Sequence, residues 1–298
     1  MSTSADASKH DAGPAGDAPT GVPHPAVEFV EVDGLRLRVA TQRGAGGGTP
    51  LLIFNGIGAN FELVFPFMRA LAGVEMVIFD VPGIGRSEMS WRPRRFAGLA
   101  RLSARLLDRL GYPEVDIAGV SWGGALAQQF ARQYPHRCRR LVLAATSPGA
   151  IMIPGRARAL SKMVTPQRYL SPGYMRRAAG DIYGGEVERD PGLIEEHSAR
   201  IIAPRLLGYL YQLGAGVGWT SIHWLHRLRQ PTLVLAGAED PLVPVANARL
   251  LTLLLPHNRL FVVPGGGHLF MLHSVDRVAP VVREFLTATD PLAPADRR

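Results

Sequence analysis

Short apolar runs and helical apolar periods alternate along most of the chain. Leu35, Leu37 and Val39 interleave with Arg36 and Arg38 behind Asp33-Gly34, which predicts a hairpin arm. Leu51-Leu52-Ile53-Phe54 is a continuous apolar run, as carried by a strand buried on both faces. Met76–Phe79, Val115–Val120, Leu141–Ala145, Thr232–Ala236 and Leu260–Val263 repeat that character. Between them, Phe96, Leu99, Leu102, Leu106 and Leu110 recur at spacings of three and four, as do Val275, Val278, Val282 and Phe285. This alternation predicts an α/β protein with a mainly parallel sheet flanked by helices. It breaks between Leu143 and Pro231, where the chain is rich in Arg, Gly, Pro and aromatics and shows no clear buried strand. That interval is expected to form an insertion above the sheet.

Composition sets the outer limits. With 298 residues, 47% hydrophobic and 19% charged, the chain can bury a large core and is not globally disordered. Its 33 Gly and 24 Pro exclude a coiled coil. The single cysteine, Cys138, excludes an intramolecular disulfide and a Cys-rich zinc framework. Neighbouring Arg137, Arg139 and Arg140 could lower its thiol pKa, but nothing around it resembles a nucleophile motif. The net charge is +8, and all basic residues but Lys9 and Lys162 are arginines. They are scattered and accompany no nucleic-acid-binding motif, so a solvated basic surface is expected and no nucleic-acid partner.

Residues 1–25 hold no large apolar side chain except Met1 and Val22, which predicts a disordered tail without a signal-peptide core. Residues 288–298 are expected to be a flexible tail. The expected organisation is therefore a core in two parts, 26–145 and 230–287, with a mostly helical cap over 146–229. Leu206 to His226 is uncharged and long enough to cross a bilayer. Its glycines, Gln212 and His223 point instead to a buried or ligand-facing segment, with no transmembrane span. His223 and His226 share a helical spacing, but no third ligand accompanies them and no metal site is expected.

The sharpest chemical signal is Gly119-Val120-Ser121-Trp122-Gly123, between an apolar strand and a predicted helix over Ala125–Tyr134. That is the context of a nucleophile elbow, whose tight turn lifts a serine hydroxyl above the sheet. A serine needs a base. Among nine histidines, His268 alone follows a strand through a glycine-rich loop, Gly265-Gly266-Gly267. The base needs an acid to hold its tautomer, and Ala238-Glu239-Asp240-Pro241 follows another strand. Asp240 is the first choice and Glu239 the second. The order Ser121, Asp240, His268 is that of α/β-hydrolases. Backbone amides must receive the oxyanion, and those of Trp122 and of Ile57, in Asn55-Gly56-Ile57-Gly58, are the candidates.

From about Val27 to Leu286 the chain resembles an α/β-hydrolase. Phe79-Asp80-Val81-Pro82-Gly83-Ile84-Gly85-Arg86-Ser87 is similar to the family's strand-and-loop signature upstream of the elbow. More narrowly, it resembles the intracellular depolymerases of medium-chain-length poly(3-hydroxyalkanoate). The matching segments are Phe54–Asn60, Glu62–Phe67, Gly119–Phe130, Ile182-Tyr183-Gly184-Gly185 and Gly218–His226. Asn55 stands where many α/β-hydrolases have His, and this subfamily looks alike there. The resemblance implies serine-dependent cleavage of an apolar polyester in the cytoplasm, at a storage-granule surface, without cofactor. Ser at position 121 speaks against a dehalogenase or epoxide hydrolase, which would carry Asp there, and against a polymer synthase, which would carry Cys. A small-molecule esterase, a lactonase, a C–C bond hydrolase and an inactive granule-binding protein remain alternatives. Asn55, Gly56, Trp219 and Trp224 are expected to contact substrate, the two tryptophans by lining an apolar passage to Ser121.

Overall fold

The computed structural model describes residues 24–165, 167 and 171–293. Of the tails expected at 1–25 and 288–298, residues 1–23 and 294–298 lie outside the described residues. The hairpin arm forms as β1 (Ala26–Val32) and β2 (Leu35–Gln42), joined at Asp33 and Gly34 with φ of 54° and 72°. Two successive positive φ angles give a tight turn whose twist matches the strands, and Asp-Gly accepts them at low cost. The remaining strands are β3 (Leu51–Phe54), β4 (Met76–Phe79), β5 (Val115–Val120), β6 (Cys138–Ala144), β7 (Thr232–Gly237) and β8 (Asn258–Val263). They form one sheet in the order β1-β2-β4-β3-β5-β6-β7-β8. Only the β1–β2 and β2–β4 pairs are antiparallel.

Successive strand residues face opposite sides, so each apolar run feeds two cores. Leu52, Phe54, Val77 and Ile117 pack beneath α2 (Phe96–Leu110) and α3 (Trp122–Gln133). Leu51, Ile53, Met76 and Ile78 pack against α1 (Phe65–Ala70) and α11 (Val275–Thr287). The predicted periods hold there: Leu99, Leu102 and Leu106 are buried on α2, and Val278, Val282 and Phe285 on α11. α9 (Val245–Leu254) covers β7 and β8, and the short α10 (Phe270–His273) follows the loop after β8.

Between β6 and β7 lie α4 (Ala157–Val164), α5 (Pro172–Tyr183), α6 (Gly185–Arg189), α7 (Gly192–Ala199) and α8 (Leu206–Gly216). Ala159, Met175, Ala178, Ile182, Val187 and Ile194 give α4 to α7 a small core of their own, closed by Leu242 from the sheet domain. Two boundaries differ from the sequence expectation. β6 begins at Cys138 rather than Leu141, because its arginines find partners within the fold. Arg139 pairs with buried Asp116, and Arg140 donates to the Phe285 and Ala288 carbonyls. α3 begins at Trp122 rather than Ala125, because its two glycines serve close packing rather than a loop. Cys138 is buried, and burial pushes its thiol well above the ordinary range, opposite to the lowering that the neighbouring arginines would predict.

Candidate active site

Loops after β3, β5, β7 and β8 converge at the carboxyl ends of their strands, where open α/β sheets place their ligands. Ser121 occupies the one-residue turn between β5 and α3, with φ 54° and ψ −115°. This is a strained conformation for a residue with a Cβ. Close backbone packing holds it there. A Cβ on Gly123 would stand 2.1 Å from the Phe54 carbonyl oxygen, and one on Gly119 2.4 Å from that of Gly123. Only glycine lets α3 start this close to β3 and β5.

Ser121 Oγ lies 3.0 Å from His268 Nε2, and His268 Nδ1 lies 2.7 Å from Asp240 Oδ2. Asp240 Oδ1 accepts the backbone N–H groups of Leu242 and Val243, at 2.8 and 2.9 Å. Both carboxylate oxygens are thus engaged, and the turn at Pro241 fixes the acid against the ring. His268 and Asp240 are 5% and 6% exposed. Glu239 faces away, exposed and paired with Arg189. With Nδ1 protonated toward Asp240, the ring presents a lone pair at Nε2 and can accept the serine proton.

The cap holds the His268 loop. The His268 backbone N–H donates to the Tyr183 carbonyl at 2.6 Å. The Gly267 N–H donates to Glu186 Oε2 at 3.0 Å, and Ser274 Oγ donates to Glu186 Oε1. Gly185 has φ 54°, and a Cβ there would stand 2.1 Å from the Gly267 nitrogen. Ile182-Tyr183-Gly184-Gly185 is therefore the joint between cap and histidine loop. Glu186 is a surface-type acid at the start of a short helix, and its local sequence carries no mark of this contact.

On the other side, Gly56 sits beside Ser121, the nearest atoms to its would-be Cβ being Ser121 Cβ and the Val120 oxygen at 4.0 Å. Asn55 Oδ1 accepts the Gly56 N–H at 2.8 Å, and its Nδ2 donates to the Asn60 carbonyl at 2.9 Å. Asn55 lines the cavity, but its polar atoms shape the loop. Asn60, fully buried, donates to the Arg200 carbonyl at 3.0 Å and accepts the Ile202 N–H at 2.9 Å. Asp80, in the upstream signature, accepts the Phe61 N–H at 2.9 Å and lies 3.6 Å from Arg38. Burial, above all, pushes its carboxyl up to about 7. The native state therefore holds a proton that the unfolded chain has released from about pH 4 upward, so Asp80 makes stability fall as pH rises to 7. Urea midpoints of wild type minus Asp80→Asn should decline between pH 4 and 7 and then level off. A difference that rises over that range would show the Arg38 attraction to dominate.

A cavity enclosing about 740 Å³ of empty space, including its opening to solvent, meets Ser121 and His268. Ile53, Leu63, Val64, Phe67, Met163, Met271 and Leu272 make its wall largely apolar, with Asn55, Tyr183 and His197 as further polar side chains. No Arg, Lys, Asp or Glu lines it among the described residues. Gly56 and Ile57 line it as well.

Trp219 and Trp224 do not. They pack against the α2–α3 layer, with Trp219 5.1 Å from Phe96 and 6.0 Å from Trp224, ring centre to ring centre. Trp219 Nε1 donates to Gln129 Oε1 at 2.9 Å, and Arg132 stacks over Trp224. These two rings therefore cover α3 and stand off the wall of this cavity, where the sequence analysis expected them. Trp219→Ala should cost about 2–3 kcal/mol of stability for a half-buried ring. It should also leave the ratio of long-chain to short-chain ester activity unchanged. A selective loss on long chains at unaltered urea midpoint would contradict this placement.

Fold and geometry together define a class. Residues 49–274 match the α/β hydrolase fold family, and the chain belongs to it. It is 51% identical over 267 residues to a poly(3-hydroxyalkanoate) depolymerase from Ectopseudomonas oleovorans, covering 89% of this chain and 94% of that one. It is 28% identical to a 2-hydroxy-6-oxo-2,4-heptadienoate hydrolase from Pseudomonas putida, over 82% of this chain and 91% of the relative. Among solved structures, the enol-lactonase from Burkholderia xenovorans superposes with a TM-score of 0.73 at 20% identity, covering 87% of this chain and all of that one. A meta-cleavage product hydrolase from Pseudomonas fluorescens also scores 0.73 at 20% identity, over 86% of this chain and 96% of that one. These structures share the fold.

Proposed function

We propose that this chain is a serine esterase that cleaves medium-chain-length poly(3-hydroxyalkanoate), with Ser121, His268 and Asp240 as its catalytic triad. The observation that carries the reading is the uncharged, apolar cavity opening on Ser121, in a chain half identical to a poly(3-hydroxyalkanoate) depolymerase. His268 Nε2 takes the proton of Ser121 as Oγ attacks the ester carbonyl. Asp240 stabilises the imidazolium. The oxyanion is received by the Trp122 amide, which opens α3 where helix geometry leaves N–H groups without intrahelical acceptors, and by the Ile57 amide. The imidazolium protonates the departing 3-hydroxyl oxygen. A water deprotonated by His268 then attacks the acyl-serine and releases a 3-hydroxy acid or oligomer, returning the proton to Ser121. No step requires a metal or cofactor.

Two of the alternatives of the same fold, the C–C bond hydrolase and the enol-lactonase, act on anionic substrates. Ring-cleavage products and enol-lactones carry carboxylates, whereas the described wall offers no cationic side chain to pair with one. A neutral polyester segment with alkyl side chains fits this wall. No described helix is long and apolar enough to cross a membrane. We place the enzyme in the cytoplasm, at the surface of the polymer granules it consumes. A purely granule-coating role would have no use for the Ser121–His268–Asp240 alignment.

A series of p-nitrophenyl esters tests the cavity. Each buried methylene is worth about 0.8 kcal/mol, so kcat/KM should rise by up to about fourfold per carbon until the cavity is filled. A preference for acetate, or faster turnover of a dienoate carrying a carboxylate, would move the assignment to the small-molecule branches.

A further inference from the structure

Gln212 belongs to the cap helix α8, yet it grips the core on both sides of the reacting serine. Its Oε1 accepts the Gly58 backbone N–H at 2.7 Å. Its main-chain oxygen accepts the Trp122 indole Nε1–H at 2.8 Å. The residue is 4% exposed. Gly58 follows Ile57 and Trp122 follows Ser121, so a single cap residue fastens both segments that carry the oxyanion donors.

The loop needs such a pin. Asn55 holds its start through the Gly56 N–H, while at its far end Gly58 adopts φ 70° and the turn closes with a long bond from the Ala59 N–H to the Gly56 carbonyl at 3.3 Å. Glycine backbones of this kind drift among conformations unless their polar groups are held. α8 is a firm anchor for the pin. Gly208 packs so close to the loop after β4 that a Cβ would stand 2.3 Å from the Gly83 oxygen. Arg95 donates to the Val217 carbonyl at 2.8 Å, at the helix's far end.

We infer that Gln212 is a positioning residue for the oxyanion hole, setting the Ile57 and Trp122 amides at the separation the tetrahedral oxyanion requires. The inference rests on the serine-esterase reading above. Oxyanion donors act only within about 2.7–3.1 Å of the developing charge, and a 1 Å misplacement costs about 100-fold in rate. The seating of the cap and the stabilisation of the transition state are then one unit. Substrate binding in the cavity is separate, because Gln212 does not line it.

The test compares wild type with Gln212→Met, which keeps the length and removes the carbonyl acceptor. Two inhibitors are used: an alkyl trifluoromethyl ketone, to which Ser121 Oγ adds while His268 takes its proton, leaving an alkoxide in the hole, and the alcohol of equal chain length. In Gln212→Met, kcat on a p-nitrophenyl ester should fall about 10- to 100-fold. KM should stay within about twofold. Inhibition by the trifluoromethyl ketone should weaken by the same factor as kcat, and inhibition by the alcohol should not change. Trp122→Phe deletes the indole N–H but keeps the backbone amide and the Gln212 side chain. It should show the same pattern, and it carries the test if Gln212→Met fails to fold. An unchanged kcat with a raised KM, or equal weakening of both inhibitors, would overturn the inference and make Gln212 a packing residue. Failure of the wild type itself to bind the trifluoromethyl ketone more tightly than the alcohol would overturn the esterase reading beneath it.

Discussion

Ser121→Ala should lower kcat by about 10⁶ and leave the folded state nearly intact. Loss of a triad serine removes the whole covalent route, and the remaining groups then give only what the oxyanion donors and substrate binding supply. The fold tolerates the change because the strained backbone at φ 54° is imposed by the packing of Gly119 and Gly123, not by the hydroxyl. Alanine bears the same Cβ in the same conformation. Hydrolysis of a p-nitrophenyl ester, with circular dichroism as the control for folding, reads the effect. A serine-directed phosphonate should label Ser121 in wild type and nothing in the variant. Half the wild-type activity in Ser121→Ala would remove this serine from the mechanism.

Asp240→Asn should reduce kcat by roughly 10⁴ in a folded protein. The asparagine carbonyl can still accept the Leu242 and Val243 N–H groups that now bind Asp240 Oδ1. Its amide NH₂ would then face His268 Nδ1, where the carboxylate oxygen stood 2.7 Å away. A donor there forces the imidazole proton onto Nε2, the atom that must accept from Ser121. Glu239→Gln should leave activity near wild type. That carboxylate is exposed and bound to Arg189, and exposed pairs contribute about 0–1 kcal/mol. Comparable losses in the two variants, or a larger one in Glu239→Gln, would mean that the tautomer is held by another group.

The tight turn at Ser121 was legible in the sequence because its steric demand is written in glycine on both sides of one serine. The strand positions were legible because strands buried on both faces read as unbroken apolar runs, and Leu51–Phe54 and Thr232–Ala236 need no tertiary information to be seen. Asp240 and Glu239 are adjacent acids, and only the turn at Pro241 decides which one faces His268. The placement of the tryptophans was not legible, because an absence of charge from Leu206 to His226 does not say which apolar surface the segment meets. Trp219 finds Gln129 at a separation of 90 residues, and Phe96 farther still, beyond the reach of any local pattern. Gln212 and Glu186 escaped for the converse reason. Each is an ordinary polar residue on a cap helix, and its role exists only through backbone groups remote in the chain, at Gly58 and Gly267.

The most direct measurement is monomer and oligomer release from an amorphous medium-chain-length poly(3-hydroxyalkanoate) suspension by the purified protein, followed by turbidity and by mass spectrometry of the supernatant. Wild type should clear the suspension and liberate 3-hydroxy acids, Ser121→Ala should do neither, and a soluble p-nitrophenyl ester should be cleaved by the same preparation of wild type. Rapid cleavage of the soluble ester with no release from the polymer would contradict the polyester assignment, and release from the polymer by Ser121→Ala would contradict the mechanism.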